Sequence, residues 1–208
     1  MLRKNLFIAF EGIDGSGKDT QLNNIVTYLK NNDKYCNIWV TREPTNITKS
    51  GNKILQLLKD DISKEDATKY FIEDRKEHSN IIKNILTHSH VLTFRFDFST
   101  YAYQMAQGMK FKELYDMHNY TKDTIIPDIT FVFNISVKTA LYRIHKRNDT
   151  IECFEHITFL VNVKTKINKI INKLIEKDGR TIICINGQQS IENITAEIID
   201  KLKIYLKK

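Results

Sequence analysis

The amino-acid sequence predicts an α/β fold, a three-layer α/β/α sandwich in which a five-stranded, mostly parallel sheet is flanked by helices. Short apolar stretches alternate along the chain with longer segments of helical periodicity. The first apolar stretch, "NLFIAFE", leads directly into a glycine-rich segment, as a buried parallel strand before a helix would. The 208 residues contain only two prolines and seven glycines, and no internal repeat, which predicts a single domain over residues 1–208.

Five apolar stretches are the predicted strands. They are short and rich in β-branched or aromatic residues. In chain order they are "NLFIAFE", "NIWVTRE", "HVLTF", "DITFVFNIS" and "RTIICI". Because Cys184 lies inside the last apolar run, we expect it to be a buried core thiol.

The segments between these stretches are the predicted helices. Ser63 with Asp66 resembles a capping box, which predicts that a long helix begins near residue 64. Gly108 predicts a break within the next helix. The predicted helices cover residues 18–31, 64–87, 99–120, 137–146, 154–177 and 190–207.

Polar and charged side chains follow four of the predicted strands, where a ligand site is expected. Ligands of such sheets bind beyond the carboxyl ends of the strands. The candidates are Asp14 to Thr20 after the first strand, Arg42 and Glu43 at the end of the second, Arg95 after the third, and Asn186 to Gln188 after the fifth. The sequence therefore predicts one site at this edge of the sheet.

The formal net charge of +7 indicates an acidic ligand. Nucleic acid is one candidate, but the lysines are spread along the chain without an arginine-rich block or interleaved aromatic residues. A small ligand with several phosphates fits this pattern better, so we expect no nucleic-acid partner.

Three scattered cysteines and six scattered histidines show no spacing typical of a zinc site. No apolar run approaches the roughly 20 residues that a membrane-spanning helix requires. The apolar start of the chain is too short for a signal peptide and lacks a small-residue cleavage site. We therefore expect a cytoplasmic protein without a membrane partner.

The segment "EGIDGSGKDT" resembles a phosphate-binding loop, G-x-x-x-x-G-K-[ST], in a strand–loop–helix context. Glycines allow backbone N–H groups to approach phosphate oxygens, and the lysine adds a positive charge. This predicts a P-loop NTPase fold; the alternative is a glycine-rich turn with a surface lysine. The predicted ATP-binding residues here are Gly12, Ile13, Asp14, Gly15, Ser16, Gly17, Lys18, Asp19 and Thr20.

Asp19 stands where the phosphate-loop pattern has a hydroxyl residue that ligates Mg²⁺. A carboxylate oxygen can also ligate Mg²⁺, and Thr20 offers a hydroxyl one residue later. Both residues remain candidate metal ligands.

Five segments together resemble the thymidylate kinase family, whose members phosphorylate dTMP with ATP. They are "FIAFEGIDGSGKDTQ", "TREP" at 41–44, "FIEDRKEH" at 71–78, "RFDFSTYAYQ" at 95–104, and "IPDITFVFNISVKTALYRIHKR" at 126–147. They occur in the family's order and cover most of the chain. The resemblance implies ATP and dTMP as substrates, Mg²⁺ as cofactor and a homodimer.

The resemblance also implies roles for individual residues. Lys18, Arg95 and Asp14 would be catalytic, with Asp14 near the sugar 3′-hydroxyl and Arg95 at the transferred phosphoryl group. Arg42 would hold the dTMP phosphate, with Glu43 holding Arg42 in place. The other predicted dTMP-binding residues are Phe71, Arg75, Thr100, Tyr103 and Gln104, with Phe71 stacked on the thymine and Tyr103 favouring deoxyribose.

Structural roles are the alternative for each of these positions. Asp14 would be a turn residue and Arg42 a surface ion-pair partner. Phe71 would be a core residue, with Arg75 paired outside to Glu73 or Asp74. Thr100, Tyr103 and Gln104 would be residues that pack a helix against its neighbours.

The resemblance places the adenine-side loop at Asn186, Gly187 and Gln188, and a small lid at about residues 146–156. Within the lid, Arg147 is the predicted ATP contact.

Three departures from the family pattern bear on activity. Phe94 replaces the acidic residue that organises Arg95 and the magnesium shell, and Asp97 is the expected partial substitute. Thr150 replaces a lid arginine, for which Lys146 and Arg147 would compensate. "TNIT" replaces the glycine pair that follows "REP". Thymidylate kinase activity is therefore the prediction; a kinase for dUMP or a modified pyrimidine deoxynucleotide, or a catalytically weak nucleotide-binding paralogue, are the alternatives.

Overall fold

The computed structural model describes residues 5–58, 62–118, 124–146 and 153–206; the side chains of residues 153–156 are not included. These residues form one five-stranded sheet. The strands are β1 (Phe7–Glu11), β2 (Ile38–Arg42), β3 (His90–Phe94), β4 (Ile129–Asn134) and β5 (Ile182–Asn186).

Eight helices occur in the same described ranges. They are α1 (Lys18–Asn32), α2 (Lys49–Leu57), α3 (Lys64–Ile85), α4 (Asp97–Ala106), α5 (Phe111–His118), α6 (Val137–His145), α7 (Cys153–Asp178) and α8 (Ile191–Leu206). None of these helices is both long and apolar enough to cross a lipid bilayer.

The strand order is β2-β3-β1-β4-β5, and every neighbouring pair is parallel. β1 therefore lies at the centre, and all its residues are buried. Its alternate side chains enter two apolar layers because side-chain direction reverses at each strand residue. Ile8 and Phe10 pack with residues of α1 and α8, whereas Phe7 and Ala9 face α3. This confirms the predicted three-layer α/β sandwich.

Most predicted elements agree with the structure to within a few residues at each end. The capping box is present, because the Ser63 side chain accepts a hydrogen bond from the Asp66 N–H. The predicted break near Gly108 separates α4 from α5, and Gly108 has a φ of 100° that a side chain would strain.

α2 is the helix that the sequence did not predict. Thr48 caps it by accepting a hydrogen bond from the Gly51 N–H. A glycine inside a nine-residue segment lowers helix propensity. A Cβ at Gly51 would collide with Thr45 and Asp74, so tertiary packing requires this glycine.

The prediction for Cys184 was wrong, because this thiol is exposed. β5 is an edge strand, and the face that carries Cys184 borders a small polar cavity lined also by Lys164 and Asn186. An apolar run in sequence does not distinguish an edge strand from a central one.

Candidate active site

The glycine-rich segment forms a tight loop between β1 and α1. Gly12, Gly15 and Gly17 have φ values of 152°, 75° and 90°. A Cβ at Gly15 would also collide with the backbone of Ala140 at the start of α6. These positions require glycine, and the N-terminus of α1 that follows favours an anion.

Lys18, Asp14 and Arg95 meet beside this loop. Arg95 donates a hydrogen bond to Asp14 Oδ1 at 2.6 Å, and Lys18 Nζ lies 3.5 Å from the same oxygen. Lys18 is also 3.6 Å from Asp19 Oδ1. Two cations therefore face one another across a carboxylate, in the arrangement that transferred phosphoryl oxygens would need.

The charges of this group perturb one another. Burial opposes ionisation of Asp14, but Arg95 and Lys18 outweigh it and lower the pKa of this carboxyl. Burial and then the charge of Arg95 lower the pKa of Lys18. Perturbed pKa values in a cleft are typical of functional sites.

Arg95 is held in a strained backbone conformation just after β3. Its φ of 59° is uncommon for a residue with a side chain. The guanidinium donates to Ser99 Oγ at 3.0 Å and to Tyr103 Oη at 3.1 Å, and it lies over the Tyr103 ring. These contacts fix its direction toward Asp14.

A cavity of about 480 Å³ opens beside Arg95. Its walls come from the ends of β2 and β3, from α3 and α4, and from α7. Of the predicted dTMP-binding residues, the cavity lining includes Phe71, Arg75, Arg95, Thr100, Tyr103 and Gln104. Such a volume, with apolar walls and a few polar groups, is typical of a small-molecule site.

Arg75 is buried in the cavity wall and does not pair with Glu73 or Asp74 on the surface. It donates to Glu43 Oε2 through both Nε (2.9 Å) and Nη2 (2.6 Å). The expectation that Glu43 holds Arg42 was therefore wrong, since Glu43 binds Arg75 and His78 instead.

Arg75 also contacts Thr100 and His118. Nη2 donates to Thr100 Oγ1 at 2.9 Å, and Nη1 lies 2.8 Å from Nε2 of His118. His118 Nδ1 is 2.6 Å from the Leu114 carbonyl oxygen. Burial, and then the charge of Arg75, lower the pKa of His118 to about 3, so its imidazole is neutral and its Nε2 accepts.

Gln104 presents an acceptor to a ligand. Its Nε2 donates to Thr68 Oγ1 at 2.6 Å and to the Lys64 carbonyl oxygen at 3.4 Å. With Nε2 committed to these acceptors, Oε1 is the atom that can serve a ligand, and it can only accept.

Arg42 is not among the residues that line this cavity. It is exposed and lies in an adjacent pocket with Asn46, Ile47 and Phe94. Its contact with the dTMP phosphate stays a prediction.

Asp97 does not substitute for the acidic residue that Phe94 replaces. It is buried and forms a salt bridge with Arg180, which also binds Asp178 at 2.8 Å. Burial raises the pKa of Asp97, but Arg180 and Arg75, with a smaller effect of His118, together outweigh burial and the net pKa is lowered. The carboxylate therefore joins α4 to the start of β5, away from Arg95.

The loop at 186–188 lies against the phosphate loop, as an adenine-side loop requires. The Gly187 N–H donates to the Asn134 carbonyl oxygen at 3.0 Å, and a Cβ at Gly187 would meet Ile135 and Ser16. Arg143 bridges the two loops, donating to the Ser16 carbonyl oxygen at 3.4 Å and the Gly187 carbonyl oxygen at 2.9 Å.

Arg143 was missed by the sequence reasoning, which chose Arg147 in the lid. Arg147, Thr150 and most of the predicted lid lie outside the described residues. Arg143 lies four residues before Arg147 in the same matched segment, and only the folded position of α6 shows that it contacts the phosphate loop.

The residues near the loop fit Mg²⁺ carried by a nucleotide. In the described part of the chain, no three His, Cys, Asp or Glu side chains converge as a metal site. Mg²⁺ commonly takes one or two protein oxygens together with substrate phosphates and water. Asp19 and Thr20 both offer an exposed oxygen at the start of α1, and Asp19 is the one close to Lys18.

The comparisons with known proteins agree with this geometry. A family model described as thymidylate kinase matches residues 10–198. A thymidylate kinase of Sulfurihydrogenibium sp. is 35% identical over 207 residues, covering 95% of this chain and 96% of its own. One from Thermosipho africanus is 36% identical over 200 residues, covering 93% and 95%. A protein named "Probable thymidylate kinase" from Methanococcus aeolicus is 34% identical over 200 residues, covering 95% and 96%. On these grounds the chain belongs to the thymidylate kinase family of nucleoside monophosphate kinases.

Proposed function

We propose that the protein transfers the γ-phosphoryl group of ATP to dTMP, giving dTDP and ADP. The observation that carries this proposal is a cavity of about 480 Å³ lined by Arg95, which in turn contacts Asp14 of the phosphate loop beside Lys18. A donor held on the loop and an acceptor held in the cavity would bring their phosphates together at these three residues.

On the donor side, the loop from Gly12 to Thr20 would bind the ATP phosphates. Its backbone N–H groups and the N-terminus of α1 favour anionic oxygens. The adenine would lie toward Asn186, Gly187 and Gln188, near Arg143. In the closed state, the lid around Arg147 would exclude water from the transfer.

On the acceptor side, the cavity would distinguish thymine from cytosine by hydrogen-bond polarity. Thymine carries a donor at N3 and an acceptor at O4, whereas cytosine carries an acceptor at N3 and an amino group at C4. Gln104 Oε1 can accept from N3–H, and the guanidinium of Arg75 favours a carbonyl oxygen over an amino group. Phe71 would stack on the base, and Tyr103 would disfavour a ribose 2′-hydroxyl.

The reacting phosphates would be bound by positive charge. Arg42 would hold the dTMP phosphate from the end of β2. Lys18 and Arg95 would stabilise the negative charge that spreads over the phosphoryl oxygens in the transition state. Asp14 would then release Arg95 and Lys18 to the phosphates and accept a hydrogen bond from the sugar 3′-hydroxyl. A Mg²⁺ ion bound by Asp19 or Thr20 would neutralise further phosphate charge.

We also propose that the protein is a cytoplasmic homodimer that works on small molecules. These expectations follow from the family resemblance and from the choice of ATP and dTMP as substrates. Light scattering on the eluted protein tests the dimer, with a mass near twice 24.4 kDa as the expected value.

The experiment is a coupled assay of ADP release with ATP, Mg²⁺ and dTMP. We expect release that needs all three components and stops when EDTA removes the metal. Lys18→Ala should lower kcat by about 100-fold or more, because a charge at the transferred phosphoryl group is lost. If the purified protein binds both nucleotides but releases no ADP, it is a nucleotide-binding paralogue and this proposal is wrong.

A further inference from the structure

The family's acidic partner of Arg95 is replaced by Phe94, whose position in β3 explains why it cannot direct Arg95. Phe94 packs with the apolar cluster on the α1 and α8 face of the sheet, together with Leu92. The side-chain contacts of Arg95 to Ser99 and Tyr103 lie at α4, on the other face. Asp97 is paired to Arg180, and Asp14, which binds Arg95 directly, belongs to the phosphate loop, so neither carboxylate holds Arg95 from the side of the sheet.

Glu11, the last residue of β1, is a fully buried carboxylate on the α4 side of the sheet. Its Oε1 accepts from the Phe96 N–H at 2.6 Å and the Ser99 N–H at 3.3 Å. Its Oε2 accepts from Ser99 Oγ at 2.6 Å. The carboxylate thus holds the first turn of α4 directly behind Arg95.

The Ser99 hydroxyl joins Glu11 to Arg95. It donates its proton to Glu11 Oε2 and accepts from Arg95 Nη1 at 3.0 Å. A hydroxyl that donates to a carboxylate is a stronger acceptor, because hydrogen bonds in a chain polarise one another. In its ionised form, Glu11 therefore acts on the guanidinium through one intervening side chain.

We propose that Glu11 is a positioning residue that acts through Ser99 to fix Arg95 for phosphoryl transfer, the task that Phe94 cannot perform. The proposal rests on the proposed function, because its readout is that reaction. Glu11 touches neither substrate, and its effect belongs to the orientation of Arg95 in the transition state.

Burial supports this assignment. Desolvation is the largest effect on Glu11 and raises its pKa to about 7, while Ser99 and Arg95 act in the opposite direction. Backbone N–H groups at the start of a helix can be satisfied by a neutral side chain. Burying an ionised carboxyl at this position lowers the stability of the fold. Such a cost is expected where the charge acts on an active-site group, here Arg95.

The test compares Ser99→Ala, Ser99→Thr and Glu11→Gln in the ADP-release assay. Ser99→Ala removes the linking hydroxyl but leaves Glu11 bound to the backbone of Phe96. We expect kcat to fall about 10-fold or more in Ser99→Ala and Glu11→Gln, since a charge-assisted hydrogen bond is lost. The KM for ATP should stay within about threefold, and Ser99→Thr should recover most of kcat. Both substitutions break the same series of hydrogen bonds from Glu11 through Ser99 to Arg95. The double variant Glu11→Gln/Ser99→Ala should therefore have a kcat little lower than that of either single variant.

Ser79→Ala is the matched control, because this buried serine on α3 accepts a hydrogen bond from the Ile125 N–H and does not line the cavity beside Arg95. It should lower the melting temperature and leave kcat unchanged. The inference is overturned if Ser99→Ala and Glu11→Gln behave like Ser79→Ala. An active wild type with unaffected variants refutes this inference alone, whereas a wild type that releases no ADP refutes the proposed function and this inference together.

Discussion

At the scale of single residues, Arg75 is a buried cation that we propose distinguishes ligands by their hydrogen-bond polarity. Glu43 balances its charge, while Thr100 and His118 fix the plane of the guanidinium. Held in this way, Arg75 acts through the direction of its N–H groups more than through net charge.

Arg75→Lys keeps the charge that balances Glu43 but loses the planar set of donors. We expect the KM for dTMP to rise about 10-fold or more, while the KM for ATP stays nearly constant, because one well-oriented hydrogen bond is worth about 1.5 kcal/mol. Initial-rate measurements with each substrate varied in turn test this. An equal rise in both KM values, or unfolding without a change in dTMP affinity, would show that Arg75 serves the fold only.

His118 makes the stability of the protein depend on pH. Its pKa is about 3 in the fold and 6.5 in a free side chain. The unfolded chain therefore binds an extra proton between these values, so the contribution of His118 is complete above pH 6.5 and is lost as pH falls. The expected loss between pH 7 and pH 5 is about 2 kcal/mol.

Urea unfolding of His118→Gln at both pH values measures this contribution. Between pH 7 and pH 5, the unfolding free energy of His118→Gln should fall by about 2 kcal/mol less than that of the wild type. His88→Gln is the control, because His88 is exposed. An identical pH dependence of the wild type and His118→Gln would mean that folding does not lower the pKa of His118.

At the scale of secondary-structure elements, the position of α4 determines the site. Its first turn is held by Glu11 on one side and by the Asp97–Arg180 salt bridge on the other. Both partners of that salt bridge are buried, and Arg180 loses one of its carboxylate partners when Asp97 loses its charge.

Asp97→Asn should therefore destabilise the protein by about 3 kcal/mol, because a buried charge is left with one partner fewer. The control is Asp116→Asn, which breaks the exposed Lys112–Asp116 pair on α5 and should leave stability essentially unchanged. Denaturant unfolding of both variants compares them. Equal stability of the two variants would show that the buried pair does not hold α4.

The elements also show which parts of the structure the sequence could predict. All five strands and most helices were predictable, because the spacing of apolar residues and the positions of glycines can be seen in the local sequence. α2 was missed because Gly51 is required by contacts with Thr45 and Asp74. The partners of Glu43 and Asp97 were also missed, since they lie on distant elements that pair only after folding.

For the candidate site, local motifs identified the phosphate loop and six side chains that line one cavity. They could not reveal that Glu11 faces α4 while Phe94 faces α1 and α8, because this depends on strand register. Arg143 was missed for a similar reason, as α6 turns it toward the phosphate loop and residue 187.

At the scale of the whole molecule, the sheet order explains why these groups meet. β1 is central, and β3 and β4 lie on either side of it. The loop that follows β1 therefore has Arg95 on one side, after β3, and the 186–188 loop beyond β4 on the other. An acceptor cavity and a donor loop thus share one edge of a single sheet.

The proposed selectivity for dTMP is tested most directly by measuring kcat/KM for a series of acceptors with Mg²⁺ and ATP. The acceptors are dTMP, dUMP, dCMP and the ribose analogue of dTMP. We predict the highest value for dTMP and a clear loss for dCMP, whose N3 and C4 groups oppose Gln104 and Arg75, and for the ribose analogue at Tyr103. A dCMP value equal to that of dTMP, or a clearly higher value for any other acceptor, would contradict the proposed selectivity for dTMP.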